Sequence, residues 1–301
     1  MTRWPISASS FAWAFLGLLG VASLRAAPPP PSPAPAPAEA AGDINAEPVE
    51  PPPAATDSTA ARILQNFLTV EGGVDNLKKI ALIQANGTEF PLTKDAVPIH
   101  FTYWIAPPGR ARLDTVVLQK YGKTQEIHQA ISGNTGWTFE PTARHPEVDD
   151  IAPAKLPALV SLAAFVYPFI NYEARGLRYQ YSGQEKFRGL SALVVKAWLA
   201  PGPPEYLYFD PQNFLLLRIR RDFRVGDTHT WANTYFTKYE KTGGIWFPTI
   251  WEHALSDAVV ARTEVQQIQL FPAVDAALFT PPVVKEIVLR QASPAAAPAA
   301  H

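Results

Sequence analysis

The chain has 301 residues, 26 Lys and Arg against 27 Asp and Glu, 47% hydrophobic residues and no cysteine. Charges this evenly balanced offer no basic surface for nucleic acid. Without cysteine there is no disulfide, no thiol nucleophile, no cysteine-based metal site and no lipobox through which this chain could itself be acylated.

In chain order, residues 1–26 read as a secretory signal peptide. Arg3 is the lone charge of the n-region, residues 11–21 form the apolar h-region, and small residues follow at Val21, Ala22 and Ser23, with a second cleavage candidate after Ala26. The alternative is an uncleaved inner-membrane anchor, for which this h-region is short against the roughly 20 residues of a span. Residues 27–56, rich in proline and alanine, bury too little apolar surface to order and read as a stiff disordered linker. Residues 57–289 form one domain by length, and 290–301 a low-complexity tail.

The domain opens on a helix. Asp57 or Ser58 can cap it, Ala60, Ile63, Leu64, Phe67 and Val70 share one stripe, and Gly72-Gly73 ends it. A short turn over 75–80 follows, then strands at about 82–90, 99–105, 110–118, 124–131 and 136–140. Alternation is clearest where Ile99, Phe101, Tyr103 and Ile105 oppose His100, Thr102 and Trp104. A proline-punctuated loop over 141–153 carries Asp149 and Asp150.

Next comes LPALVSLAAFVYPFI, residues 156–170, apolar but for Ser161 and the prolines. Pro157 suits a first helical turn and Pro168 a helix end. A helix apolar on all sides must be covered on more than one side, so this one is expected across the inner face of a curved sheet. Strands resume at about 178–185, 190–199, 205–209, 214–223, 228–240, 245–254 and 259–271, with a closing turn over 275–279. The total is eleven or twelve antiparallel strands with two or three helices, a mainly β, α+β chain.

Catalytic signatures are missing: the sequence has no G-x-S-x-G elbow, H-E-x-x-H, phosphate-cradling loop or dinucleotide fingerprint. His100, His128, His145, His229 and His253 are scattered singly. A metal site from His229, His253 and Glu252 is disfavoured, because neighbours in a strand point to opposite faces. No cofactor is expected. Asp149 and Asp150 read as solvated. Arg218 and Arg220 share a face opposite Arg221, and with Arg224 they form either a solvated surface or a patch for anionic headgroups or an acidic partner. The aromatic pairs and stripes (Phe101 with Tyr103, Trp137 with Phe139, Trp231 with Tyr235 and Tyr239, Phe247 with Trp251) are either packed core or the lining of a pocket.

Several landmarks, taken in order, resemble the LolA/LolB-like superfamily, close to proteins labelled outer membrane lipoprotein-sorting protein. They are the opening helix with Gly72-Gly73 and Leu77, Arg110-Ala111-Arg112 starting the third strand, the hairpin SGNTGWTFEP (132–141), the central apolar segment and the closing DAALFTPP (275–282). Tyr208-Phe209-Asp210-Pro211 and GGIWFP (243–248) fit hairpins of the broader group. The resemblance implies an unclosed antiparallel β half-barrel of about 11 strands wrapped around a helical plug or lid. It also implies a non-catalytic periplasmic carrier for acyl chains of lipoprotein or lipid, with a docking partner at the inner or outer membrane. The implied lining is Phe101, Tyr103, Trp137, Phe139, Leu159, Phe165, Trp231, Tyr235, Phe247 and Trp251, and the lid-closing residue Arg112 or Arg110. The alternative function is a membrane-tethered envelope module that senses lipids or lipoproteins, its linker setting the reach.

Overall fold

The computed structural model describes residues 50–107, 109–119, 122–143, 146–153, 156, 159, 169–199, 203–225 and 228–283. The signal peptide, the tail and most of the apolar segment, Phe165 included, lie outside the described residues.

Helix α1 (Ser58–Glu71) starts where Asp57 caps it, one carboxylate oxygen accepting from the amides of Thr59 and Ala60 at 2.9 Å each. The other oxygen accepts from the Tyr181 amide, and the Thr56 hydroxyl accepts from the Tyr179 amide. The residues that start the helix therefore also satisfy donors of strand β7 (Arg178–Phe187), an open sheet edge. Asp57→Ala should lower stability by about 1–2 kcal/mol, since it removes a cap and orphans an edge amide; urea unfolding measures it. Further upstream, Lys196 pairs with Glu50 at 2.8 Å and the Trp198 indole donates to the Glu50 carbonyl at 3.1 Å. The chain from Glu50 on is thus held at the end of the sheet. After α1 comes the short helix α2 (Val74–Lys78).

The other strands are β1 (Leu82–Pro91), β2 (Ile99–Ala106), β3 (Arg110–Leu118), β4 (Thr124–Ser132), β5 (Thr135–Phe139), β6 (Val148–Asp150), β8 (Leu190–Trp198), β9 (Glu205–Phe209), β10 (Leu216–Val225), β11 (Thr228–Thr242), β12 (Ile245–Leu255) and β13 (Ala258–Phe271). They form one antiparallel sheet in the order β6-β5-β4-β3-β2-β1-β13-β12-β11-β10-β9-β8-β7. Two meanders meet where β1 pairs with β13. Among the described residues β6 and β7 end the sheet without pairing to each other, so it is an unclosed half-barrel. Among the described residues no helix is long and apolar enough to cross a membrane.

The sheet has thirteen strands rather than eleven or twelve. The extra one is β6, inside the stretch expected to be a loop. Three residues among prolines show no alternation, and what positions them is a close approach. The Ile151 amide donates to the Gly136 carbonyl at 2.8 Å, and a Cβ on Gly136 would stand 2.6 Å from the Ile151 carbonyl oxygen.

The main core lies on the face of the sheet that α1 covers, here the inner face. Ile63, Leu64 and Phe67 of α1 pack there with Ile83, Phe101, Tyr103 and Leu113 of one meander and Val195, Leu207, Phe209, Phe247 and Trp251 of the other. Leu156, Leu159, Phe169 and Ile170, from the two ends of the apolar segment, join the same cluster. The Phe67 ring meets Phe169 edge-on at 5.0 Å and Phe209 at 5.6 Å. Between β6 and β7 the chain passes from one end of the sheet to the other, and both described ends of this link are buried in the main core, Phe169 against Phe67 of α1. The expectation of a helical plug itself falls on residues outside those described.

Candidate functional site: the inner face of the open sheet

Register and alternation assign each predicted residue to a face. Phe101 and Tyr103 on β2 stand opposite Gly87 and Ala85 of β1 and belong to the main core. Gly87 has no side chain because there is no room: a Cβ would collide with the Phe101 ring and the Glu264 carbonyl. Phe247 and Trp251 alternate along β12 on the same face, and Leu159 joins them. These five predicted lining residues are brought together.

Four others are not. Trp137 and Phe139 form a separate cluster with Ala130 and Val148 on the outer face. Tyr235 faces outward against Phe187, its ring 3.7 Å beneath the Arg188 guanidinium carbon. Trp231, four residues earlier on β11 and paired with Asp222, shares that outer side. Trp137, Phe139, Trp231 and Tyr235 therefore stand on the face opposite the main core. Both faces of this sheet carry aromatics because both are covered in places.

Arg112 and Arg110 also face outward. Arg112 binds Asp114 through two 2.8 Å bonds, donates to the Leu278 carbonyl at 3.2 Å and stacks over Trp104 and Trp137 at 5.2 and 5.7 Å. The Trp137 indole donates to the Phe279 carbonyl at 2.9 Å, and Arg110 lies over the Phe279 ring. These contacts clamp the 3₁₀ turn Ala276–Phe279 onto the outer side of β3–β5. Burial would raise the Asp114 carboxyl, but His128 and Arg112 together hold it below its ordinary value. Among the described residues, Arg112 thus fastens the closing segment. Arg112→Ala should cost about 2 kcal/mol and Arg112→Lys nearly as much, because an ammonium cannot reproduce the planar, forked contact; denaturant midpoints report both.

The basic run divides similarly. Arg221 turns inward to Glu205 at 2.7 Å, whereas Arg220 pairs with Asp222 at 2.9 Å on the outer side. Arg218 donates to Asn233 and lies 4.6 Å over the Tyr208 ring. Glu252, weighed as a metal ligand, is bound to Arg188 outside while its neighbour His253 is inside. Among the described residues no cluster suited to a metal is found.

The inner wall is mostly apolar with a few buried polar groups. Trp251 can only donate, so its 3.1 Å bond to Nε2 of His253 leaves the imidazole proton on Nδ1, facing the Thr234 hydroxyl at 3.3 Å. Burial, assisted by Arg221, lowers this histidine to about 4 and keeps it neutral. Glu89 is 2% exposed, and burial pushes it up to about 7, a hydrogen bond with the Thr263 hydroxyl opposite offsetting a little of this. Burial also raises Glu71, at the end of α1, and the Tyr103 phenol. Sequence reading passed over Glu89, although it continues the inward series Ile83, Ala85, Gly87 at a period of two. That series was the available signal.

No family model and no curated protein matches the chain. Solved structures do. A domain from Vibrio parahaemolyticus described as an outer membrane lipoprotein-sorting protein superposes with a TM-score of 0.52 at 11% identity, covering 76% of this chain and 98% of that one. A LolA superfamily protein from Nitrosomonas europaea gives 0.48 at 12%, covering 74% and 97%. A DUF1329 family protein from Desulfovibrio piger gives 0.49 at 11%, covering 73% and 97%. At these identities the likeness is one of fold. In fold, then, the chain is similar to the Vibrio lipoprotein-sorting domain, an open antiparallel half-barrel whose inner face holds the core.

Proposed function

We propose that this protein is a non-catalytic, exported carrier that shelters acyl chains of a lipid or lipoprotein against the inner face of its half-barrel. The observation that carries the reading is the continuity of the inner apolar surface. One cluster runs from β3 through β1 and β12 to β8, and it takes in α1 and both ends of the apolar segment. Among the described residues the sheet around it has two free edges. Each methylene moved from water onto such a surface contributes about 0.8 kcal/mol. Phe101, Tyr103, Leu159, Phe247 and Trp251 are the proposed lining. The leader read from the sequence supports export to the periplasm, and a chain without cysteine needs no oxidative folding there.

The test is extraction of freshly purified full-length protein followed by lipid mass spectrometry. The expected result is an acyl lipid or acylated peptide in near-stoichiometric amount. Protein free of acyl species, which also takes up none from mixed micelles, would refute the carrier.

A tethered envelope module is the second reading. It is favoured by the anchoring of Glu50 on Lys196 and Trp198, which gives a membrane linker a fixed point of departure. The mass of the mature N-terminus separates the two. A start near residue 24 or 27 supports the carrier, and an intact leader in the membrane fraction supports the module.

A further inference from the structure

We propose that the inner wall carries a polar anchor, made of the Glu89 carboxyl with the Thr263 and Thr249 hydroxyls, that receives the neutral ester or amide carbonyl of an acylated ligand. The proposal rests on the carrier reading and names the part of the ligand that the apolar wall does not explain.

The three residues stand on three adjacent strands. Glu89 of β1 is directly opposite Thr263 of β13, which is directly opposite Trp251 of β12; Thr249 lies between Phe247 and Trp251 on β12. Their exposures are 2%, 0% and 4%. Thr249 Oγ1 and one carboxyl oxygen of Glu89 have no hydrogen-bond partner, and the Thr263 hydroxyl meets the Glu89 carboxyl. Buried polar atoms are nearly always partnered, so two unpartnered oxygens on this apolar wall need a reason. Packing alone does not give one, since apolar residues of similar shape would fill the same wall at lower cost.

The chemistry of the group selects the ligand. Burial raises the Glu89 carboxyl to about 7, so at pH 6 it is mostly protonated and offers an O–H donor, and the threonines are donors too. A carbonyl oxygen has two lone pairs and accepts two such donors. A carboxylate or phosphate would ask for a cation, and the arginine on this face, Arg221, is already paired with Glu205. The remaining ionisable groups turned to the core among the described residues are Glu71 from α1, Tyr103 from β2, Tyr172 before β7, Tyr179 and Tyr181 from β7, Tyr239 from β11 and the neutral His253 from β12; none of these brings a positive charge. Phe101 and Trp251 flank the anchor, so a chain leaving the carbonyl in either direction meets aromatic surface. An acyl ester or amide, polar at one atom and apolar beyond it, has this shape.

The test compares 1-oleoylglycerol with its ether analogue 1-O-oleylglycerol, which lacks only the carbonyl. Each competes against a fluorescent fatty acid on the full-length protein at pH 6 and pH 8.5. Wild type should bind the ester about five- to tenfold more tightly than the ether at pH 6, the worth of one well-made buried hydrogen bond, and the preference should shrink at pH 8.5 as the carboxyl ionises. Glu89→Gln keeps a neutral donor, so it should retain the preference and make it the same at both pH values. Glu89→Ala combined with Thr263→Val should bring ester and ether within about twofold while the fluorescent probe still binds. Equal binding of ester and ether by wild type, with the probe bound, overturns the anchor and leaves the carrier standing. Failure of the probe itself to bind overturns the carrier, and the anchor with it.

Discussion

Phe247→Asp is expected to cost the fold itself, not merely a ligand contact. The ring is wholly buried in the main core. Truncating such a phenylalanine removes about 3–5 kcal/mol, and a carboxyl in its place is left without a partner as well. The sum rivals the roughly 5–15 kcal/mol by which a domain is stable. Trp231→Asp makes the opposite control. This residue is half-buried on the outer side of β11, opposite Asp222, so its loss should cost about 1 kcal/mol and leave uptake of a fluorescent fatty acid unchanged. Urea unfolding with parallel uptake measurements reads both. A folded Trp231→Asp variant that binds nothing would show that the acyl site is on the outer face.

The second large effect depends on pH. The folded-state value of Glu89 is about 7, above an ordinary 4.5, because burial disfavours the charge. The folded protein therefore keeps a proton that the unfolded chain gives up as pH rises from 4.5 to 7. Its contribution to stability is complete below about pH 4.5, declines through that window and is gone above 7. Glu89→Gln has no such proton. Relative to wild type it should become more stable as pH rises, the difference levelling off near pH 7 at about 3 kcal/mol. Glu71 shifts in the same direction and supplies a second, separate decline that Glu89→Gln leaves in place. Stability curves at pH 4.5, 6 and 7.5 check this; parallel curves for the two proteins would mean that Glu89 is solvated.

Much of the fold was legible because antiparallel strands with one dry face write their pattern into the sequence. Ile99-x-Phe101-x-Tyr103-x-Ile105 identified β2 and its inward face together. Gly72-Gly73 and Asp57 bounded α1 correctly, since caps are local chemistry. β6 was not legible, because its pairing depends on Gly136 admitting the Ile151 backbone and not on any pattern in Val148–Asp150.

The candidate site was only half legible, for a related reason. Alternation says that Trp137 and Phe139 share a face, but not which face. That is decided by the closing segment at Phe279, more than a hundred residues away, folding over the outer side. Arg112 drew attention as a lid residue for the same reason. Its position in the third strand is local information, while its bond to the Leu278 carbonyl is not. Glu89 went unnoticed because a single acid in a strand looks like a solvated one until the neighbouring strands are in register.

The claim that acyl chains lie against the inner face is tested most directly by photocrosslinking. Purified protein is loaded with a fatty acid carrying a diazirine near its chain end, irradiated, digested and mapped by mass spectrometry. Labelled peptides should centre on Phe101, Phe247 and Trp251, with those of Trp137, Trp231 and Tyr235 unlabelled. Labelling concentrated on the outer three, or spread evenly over both faces, would contradict it.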